Sequence, residues 1–329
     1  MRTNQICTFI FCALFVAGTA QAVALHDFNL IAFGNVTGNS EVEGRALVYG
    51  NVGSLTDTSA KQFAFDTNAF SDPTTIPGVS QNDGLIVGGQ VFSTVNMNAA
   101  LIPNVRIGGV DTGASINNAA SVTYSDAGVP AILTAVTNEV NAATSFFDGL
   151  TANSTVNLTD TNNAVFTSTP DSSKIAVFDL NASFFGRNGS LDLQGDLTAE
   201  MFIFLVTGAT SITSSGGLNV FSNEFAQDAF QERIAFYFPG VTGLTLTNGL
   251  GGAVIAADAD LAFGSPLEGT VVANNVLLNA EIHMPSLVDD DRLGFTDPIV
   301  SAVPEPATMC ALGLAIAGLG GYVRKRRLA

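Results

Sequence analysis

The chain is interrupted at short, uneven intervals by Gly-Asn and Gly-Gly pairs, each closing a run of a few apolar or β-branched residues. Phe28-Asn29-Leu30-Ile31-Ala32-Phe33 ends in Gly34-Asn35, and Ala46-Leu47-Val48-Tyr49 ends in Gly50-Asn51. Leu85-Ile86-Val87 and Val105-Arg106-Ile107 end in Gly88-Gly89 and Gly108-Gly109. Runs this short suit strands, and their glycines read as turns that need positive φ. Open sandwiches use longer alternating strands, so stacked short strands with Gly/Asn corners fit a β-solenoid better. No fixed repeat length is visible.

One stretch departs from this pattern. Ile132, Leu133, Val136, Val140, Ala143, Phe147 and Leu150 recur at three and four, which predicts a long amphipathic helix at about 128–150. Ser125-Asp126 reads as its cap, Pro130 suits its first turn and Gly149 its end. In an otherwise β chain, such a helix has to lay its apolar stripe along the side of the stacked strands. Residues 60–82 read as an irregular loop, and Ser222–Gln231 as a short helix. Lys174–Phe178 and Met201–Val206 are near-continuous apolar runs, as expected of strands buried on both faces. Ala253–Ala257, Thr270–Ala273 and Val276–His283 read as three further strand-turn units.

Both ends carry addresses. Arg2, the apolar run Ile6–Ala17 and Ala20-Gln21-Ala22 form a secretory signal with an A-x-A cleavage site, so residues 1–22 are read as a removed leader. At the other end Pro304-Glu305-Pro306 precedes the nearly apolar Ala307–Val323, followed by Arg324-Lys325-Arg326-Arg327. The apolar stretch spans roughly 25 Å at about 1.5 Å per residue, just short of a typical membrane core. Snorkelling arginines or a thin membrane close the gap, and the basic end stays cytoplasmic. The expected organisation is a body at 23–288, an acidic linker at 289–303 and a sorting tail at 304–329.

Cys7, Cys12 and Cys310 all lie in the end segments, which removes disulfides, thiol nucleophiles and thiolate metal sites from the body. Residues 23–303 hold 28 acidic and seven basic residues, a net charge of −21. Such a body repels nucleic acid and anionic lipid.

The order of the tail's parts resembles the PEP-CTERM sorting signal of Gram-negative bacteria. That resemblance implies export by the secretion translocon and signal peptidase. It then implies transient membrane anchoring through the tail helix and processing near Pro304-Glu305-Pro306 by an exosortase. The final location would be the cell surface or extracellular matrix. The body is similar to the choice-of-anchor A domain in Phe28–Gly53, in Ile234-Ala235-Phe236-Tyr237-Phe238-Pro239 and in Gly252–Ala259. Gly269-Thr270-Val271-Val272-Ala273 and Glu281-Ile282-His283 continue the likeness, while Ala257 replaces a usual proline. The resemblance implies a right-handed β-solenoid with one long flanking helix, and an adhesive or structural role.

Few residues suggest chemistry, and no resident cofactor is expected. His26 and His283 lie at opposite ends of the body; His26 reads as part of a loose N-terminus and His283 as a partner for a backbone carbonyl, rather than as a paired site. Asp258 and Asp260 could bind Ca²⁺ weakly or act as acid and base on a glycoside; a solvated corner is the plainer reading. Asp289-Asp290-Asp291 reads as linker charge. Glu41, Glu43 and Arg45 could pair across a turn. The expectation is an exported, non-catalytic surface protein whose partner could be extracellular polysaccharide. A polysaccharide lyase or hydrolase is the alternative, and ice binding a third. Ice binding asks for a Thr ladder, of which Thr245/Thr247 would be one rung.

Overall fold

Ten of the short runs lie side by side in one sheet, numbered here along the chain. The first five are β1 (Leu30–Ala32), β2 (Ala46–Val48), β3 (Asp83–Val87), β4 (Asn104–Ile107) and β5 (Ser121–Thr123). The others are β6 (Ile175–Asn181), β7 (Met201–Thr207), β8 (Ile234–Tyr237), β9 (Ala253–Ala256) and β10 (Val271–Ala273). The computed structural model describes residues 23–57, 59–65, 76–99, 102–214, 218–219 and 223–287. The signal, the linker and the sorting tail, with Ala20, Ala22 and Pro304-Glu305-Pro306, lie outside the described residues.

In space the strands run β5-β4-β3-β2-β1-β10-β9-β8-β7-β6. The chain therefore begins mid-sheet, steps outward to one edge, crosses to the other and steps back until β10 pairs with β1. Leu30 faces Val271 on one side and Ala46 on the other. Helix α2 (Val129–Asp148) is the crossover between the two edges. Its 20 residues cover about 30 Å of the roughly 43 Å that ten strands span. On arrival, the Asn153 side chain closes the free edge of β6, donating to the Ile175 carbonyl at 2.9 Å and accepting from the Val177 amide at 2.8 Å.

Between visits to this sheet the chain passes through three others. Ser211–Thr213, Gly243–Leu246, Asp260–Phe263, Val276–Leu278 and Val36–Gly38 form a five-stranded sheet. A seven-stranded sheet runs from Leu250–Gly251 through Ile282–His283 and Glu41–Glu43 to Ile116–Asn117. A four-stranded sheet includes Asn163–Ser168 and Gly189–Gly195. Among the described residues every strand pairing is parallel except Thr155–Asn157 with Asn163–Ser168, and no sheet closes on itself. The protein is mainly β with few helices.

The missing period has a structural cause. Register partners in the large sheet are 16 residues apart between Leu30 and Ala46 but 39 between Ala46 and Leu85. They are 32 apart between Phe202 and Ile234 and 17 between Val254 and Val271. Loops of different length leave the ladder intact, because pairing depends on the short strand alone.

The large sheet is buried on both faces, which is why Ile175–Phe178 and Met201–Phe204 are unbroken apolar runs. Ala176, Phe178, Phe202 and Phe204 join the core enclosed by the other sheets. Ile175, Val177, Met201 and Ile203 instead meet the α2 stripe of Ile132, Val136, Val140, Ala143 and Phe147. Each large side chain of that stripe contributes roughly 1.5–3 kcal/mol by leaving water. The helix packs on the side of the strands, as its periodicity requires.

Several local expectations are corrected. The α2 N-cap position is Gly128, which has no side chain of its own, and the Asp126 carboxylate accepts the Gly128 amide at 2.8 Å while also holding Arg106. Gly149 closes the helix in right-handed rather than left-handed conformation. Within 60–82 the chain forms a strand at Lys61–Phe65, since Val42↔Phe63 and Phe63↔Met97 continue a ladder. Val276–His283 is two strands, Val276–Leu278 and Ile282–His283, in different sheets. The segment near 222–231 holds a 3-10 turn at Asn223–Ala226 and a helical turn at Asp228–Gln231. Arg45 turns away from Glu41 and Glu43 to lie 3.8 Å from Asp27, donating also to the carbonyls of Gln81 and Asp83.

The Gly-Asn pairs also have a different reason from the one expected. Gly34, Gly50 and Gly89 are not in the left-handed region, unlike Gly38 and Gly44 at φ +95° and +82°. They stack, with the Gly50 amide on the Gly34 carbonyl and the Gly89 amide on the Gly50 carbonyl, both at 2.8 Å. A Cβ on Gly50 would sit 2.6 Å from both the Asn35 Oδ1 and the Gly34 oxygen. Close backbone approach, with an asparagine folded over each glycine, excludes any side chain there.

Candidate functional site

The outer face of the five-stranded sheet is built by strand alternation. Leu244, Leu246, Leu261, Phe263, Val276 and Leu278 point into the core, so the residues between them point out. Register then aligns Thr213, Thr245, Ala262, Leu277 and Thr37 in one column across the sheet. Leu277 is 40% exposed, which makes the middle of this column an apolar step between hydroxyls.

Along one border of the face runs the amide ladder of the Gly-Asn corners. Asn35 Oδ1 accepts from the Asn51 amide at 2.8 Å, and Asn51 Oδ1 from the Gln90 amide at 2.7 Å. Asn275 Oδ1 accepts from the Asn35 amide at 2.7 Å, while its Nδ2 donates to Asp260 Oδ1 at 2.7 Å. Asn274 Nδ2 reaches the same oxygen at 3.0 Å. Asn35, Asn275, Asp260 and Leu277 line an open recess of about 490 Å³. A second recess of about 340 Å³ lies against Ser211 and Thr213 of the same sheet and against Asn181 and Ser183 at the end of β6. The face thus offers amides, hydroxyls, a carboxylate fixed by two amides, and an apolar platform. It has hydrogen-bonding capacity in rows and no nucleophile–base pair.

Asp258 and Asp260, read as a solvated corner with weak Ca²⁺ binding or acid–base chemistry as alternatives, lie at a turn. Asp258 stands exposed on a turn, and Asp260 opens the next strand, with Ala259 buried between them. Among the described residues no three His, Cys, Asp or Glu side chains gather as a metal site. Thr245 and Thr247 are not one rung, because the strand ends at Leu246. Thr247 instead donates its amide to Ser214 Oγ at 2.8 Å and its hydroxyl to the Ser214 carbonyl at 2.6 Å.

The histidines exchange the roles expected of them. His26, on the short helix α1 (Val23–Asp27), donates through Nδ1 to the Leu287 carbonyl at 3.1 Å. His283 faces carboxylates with both ring nitrogens, Glu268 at 2.9 Å and Glu281 at 2.7 Å. Burial opposes its charge, but its hydrogen bonds to Glu281 and Glu268, with Glu43 nearby, raise its pKa above the ordinary value. Glu41 is raised as well, by burial and then by Glu281 and Glu43. This cluster sits where Ile282 pairs with Val42, the seam between the end and the beginning of the body. Sequence reading missed it because its acidic members come from three separate runs, at 41–43, 268 and 281.

Lys61 was also missed. It is wholly buried, and its Nζ donates to Asp57 Oδ2, Ser93 Oγ and the Ser59 carbonyl at 3.0–3.1 Å. Arg106 is a fork, with Nε on Asp126 Oδ2 at 2.7 Å and one terminal nitrogen on Asp83 Oδ2 at 3.1 Å. Both groups hold rungs together.

A family model described as "Putative Ice-binding-like adhesive domain" matches residues 22–284. The chain belongs to this family. The model of the PEP-CTERM protein-sorting motif matches residues 302–327, which include Pro304-Glu305-Pro306 and Arg324-Lys325-Arg326-Arg327. Comparison with curated proteins and with solved structures gives no match. An ice-binding-like adhesive domain joined to a sorting motif marks an exported surface protein, with C-terminal anchoring before processing. No helix among the described residues is long and apolar enough to cross a membrane.

Proposed function

We propose that this protein is a non-catalytic adhesive or structural component of the cell surface or extracellular matrix, holding polysaccharide on the outer face of its five-stranded sheet. The observation that carries this is the register-aligned column Thr213–Thr245–Ala262–Leu277–Thr37 beside the Asn35–Asn275–Asp260 ladder. Rows of amides and hydroxyls around an apolar step complement the hydroxyls and C–H faces of neutral sugars. The threonine column is broken by Ala262 and Leu277, which favours a glycan over an ice plane.

In this reading the leader is cut after Ala22, and an exosortase cuts near Pro304-Glu305-Pro306 while Ala307–Val323 holds the tail in the membrane. In the same reading the chain is a choice-of-anchor A member and a right-handed β-solenoid, a reading supported by its passage through successive parallel sheets. Asp258 and Asp260 contribute at most weak Ca²⁺ binding.

Binding of the exported protein to the host's own exopolysaccharide tests the reading. Wild type is retained on the immobilised polymer, and Leu277→Asp together with Asn275→Ala releases it. Turnover of the polymer that disappears in Asp258→Asn would replace adhesion with catalysis. Equal retention of wild type and variant would remove this face from the account.

A further inference from the structure

Glu139 lies half-buried on α2, yet no lysine, arginine or histidine approaches it within 4 Å among the described residues. Its Oε2 accepts the backbone N–H of Ala24, on α1, at 2.8 Å. Asp27 faces it from the same short helix, and Tyr49 from the corner after β2. The Tyr49 hydroxyl donates to the Leu133 carbonyl at 2.7 Å, and Arg45 is turned towards Asp27, Asp83 and Gln81. Burial pushes the Glu139 carboxyl up to about 7; the Ala24 amide opposes the rise and Asp27 adds to it. The site is negative and is built around the first residues of the body.

We propose that Glu139 is the receptor for the α-ammonium group of Val23, created when the leader is cut after Ala22, so that export processing completes the docking of α1 on α2. This rests on the reading of Ala20-Gln21-Ala22 as the cleavage site. Hydrolysis breaks the Ala22–Val23 C–N bond, leaving the carboxylate on the leader and the amine, protonated, on the body. The Val23 nitrogen is roughly 3 Å along the backbone from the Ala24 nitrogen that already touches Glu139. Before cleavage that atom is a neutral amide, and afterwards it is a cation below an ordinary pKa of about 7.7–8.0.

The sign of the effect follows from linkage. Without the ammonium, the folded-state pKa of Glu139 lies above its unfolded value. It therefore costs no stability at low pH, and stability is lost as pH rises from about 4.5 through 7. With the ammonium, that loss is offset until the amine itself deprotonates. Docking of α1 also bears on the exit to the tail, because Thr270 Oγ1 donates to the Leu25 carbonyl and receives the Leu287 amide.

The test uses the full chain made in a host that exports it, with the N-terminus read by mass spectrometry. On protein beginning at Val23, the α-amine followed by pH-dependent acylation titrates about one unit or more above its ordinary range. Glu139→Gln returns it to that range. Inserting one Gly between Ala22 and Val23 moves the ammonium away, which lowers Tm at pH 7 and leaves it unchanged at pH 4.5. An ordinary α-amine pKa with no response to either change overturns the proposal and leaves the cleavage site standing. A first residue other than Val23 overturns the cleavage reading, and the proposal with it.

Discussion

The two halves of the ten-stranded sheet share one ladder but are filled differently. The core-facing column reads Phe178, Phe204, Phe236 and Val254 on the side laid down after α2. It continues as Val271, Leu30, Ala46, Leu85 and Val105 across the seam and into the side laid down before it. In the later half Phe178, Phe204 and Phe236 stack at centroid distances of 4.8 and 4.6 Å, and Phe166 meets Phe204 edge-on at 5.0 Å. The earlier half has small aliphatics, and the buried cations beside it, Arg45 before β2 and Lys61 in the seven-stranded sheet, are each held by carboxylate and carbonyl oxygens. Identical pairing geometry therefore accepts either a wide aromatic filling or a narrow one stitched by polar side chains. What is conserved along the stack is the backbone spacing, and the cross-section is free to vary.

The sharpest way to break this comparison is at Phe204, which meets four rings, Phe166, Phe178, Phe225 and Phe236. Phe204→Ala is expected to cost about 3–5 kcal/mol, read by urea unfolding of the exported protein. Val254→Ala, one step along the same column, is expected to cost clearly less. Equal losses would show that the aromatic stack has no special weight.

A smaller effect is expected at Lys61. Lys61→Met keeps much of the buried volume but strips Asp57 and Ser93 of their cation, costing about 1–3 kcal/mol. Although burial pushes the Asp57 carboxyl up, bonds from Ser59, Lys61 and the Gly38 amide outweigh it and hold the pKa at about 2. A depressed carboxylate stabilises the fold above its unfolded pKa and loses that contribution as pH falls. The wild type should thus lose stability between about pH 4 and 2 more steeply than Lys61→Met. Superimposable acid profiles would sink the assignment.

The smallest effect concerns the seam. His283 is raised, so its contribution is complete below the ordinary histidine value of about 6.5 and fades as pH climbs through the folded value. Tm of the wild type should decline modestly from pH 6 to pH 8, while His283→Gln stays flat over that range. A parallel decline in both proteins would place the pH sensitivity elsewhere.

Much of this architecture was legible in residue order. The α2 stripe from Ile132 to Phe147, the doubly buried runs at 175–178 and 201–204, and the short strands before Gly34, Gly50 and Gly88 all follow from local patterning. The candidate face was not legible. Thr213, Thr245, Ala262, Leu277 and Thr37 are scattered over more than half the body, and only register gathers them. The strand at Lys61–Phe65 was not legible although three of its five residues are apolar, because its place in the ladder comes from neighbours at Val42 and Met97.

The sequence by itself determined the β character, the long flanking helix, the acidic cysteine-free body and the sorting motif at the C-terminal end. Each of these is a property of a contiguous segment, so periodicity, charge or motif order suffices to read it. Tertiary structure decided which strands are neighbours, that the chain starts mid-sheet and ends beside its own beginning, and what the Gly-Asn corners are for. Those depend on contacts between residues up to 261 positions apart, as between His26 and Leu287. Loops of unequal length hide that spacing from any period, while the short parallel strands, pairing through backbone alone, restore it.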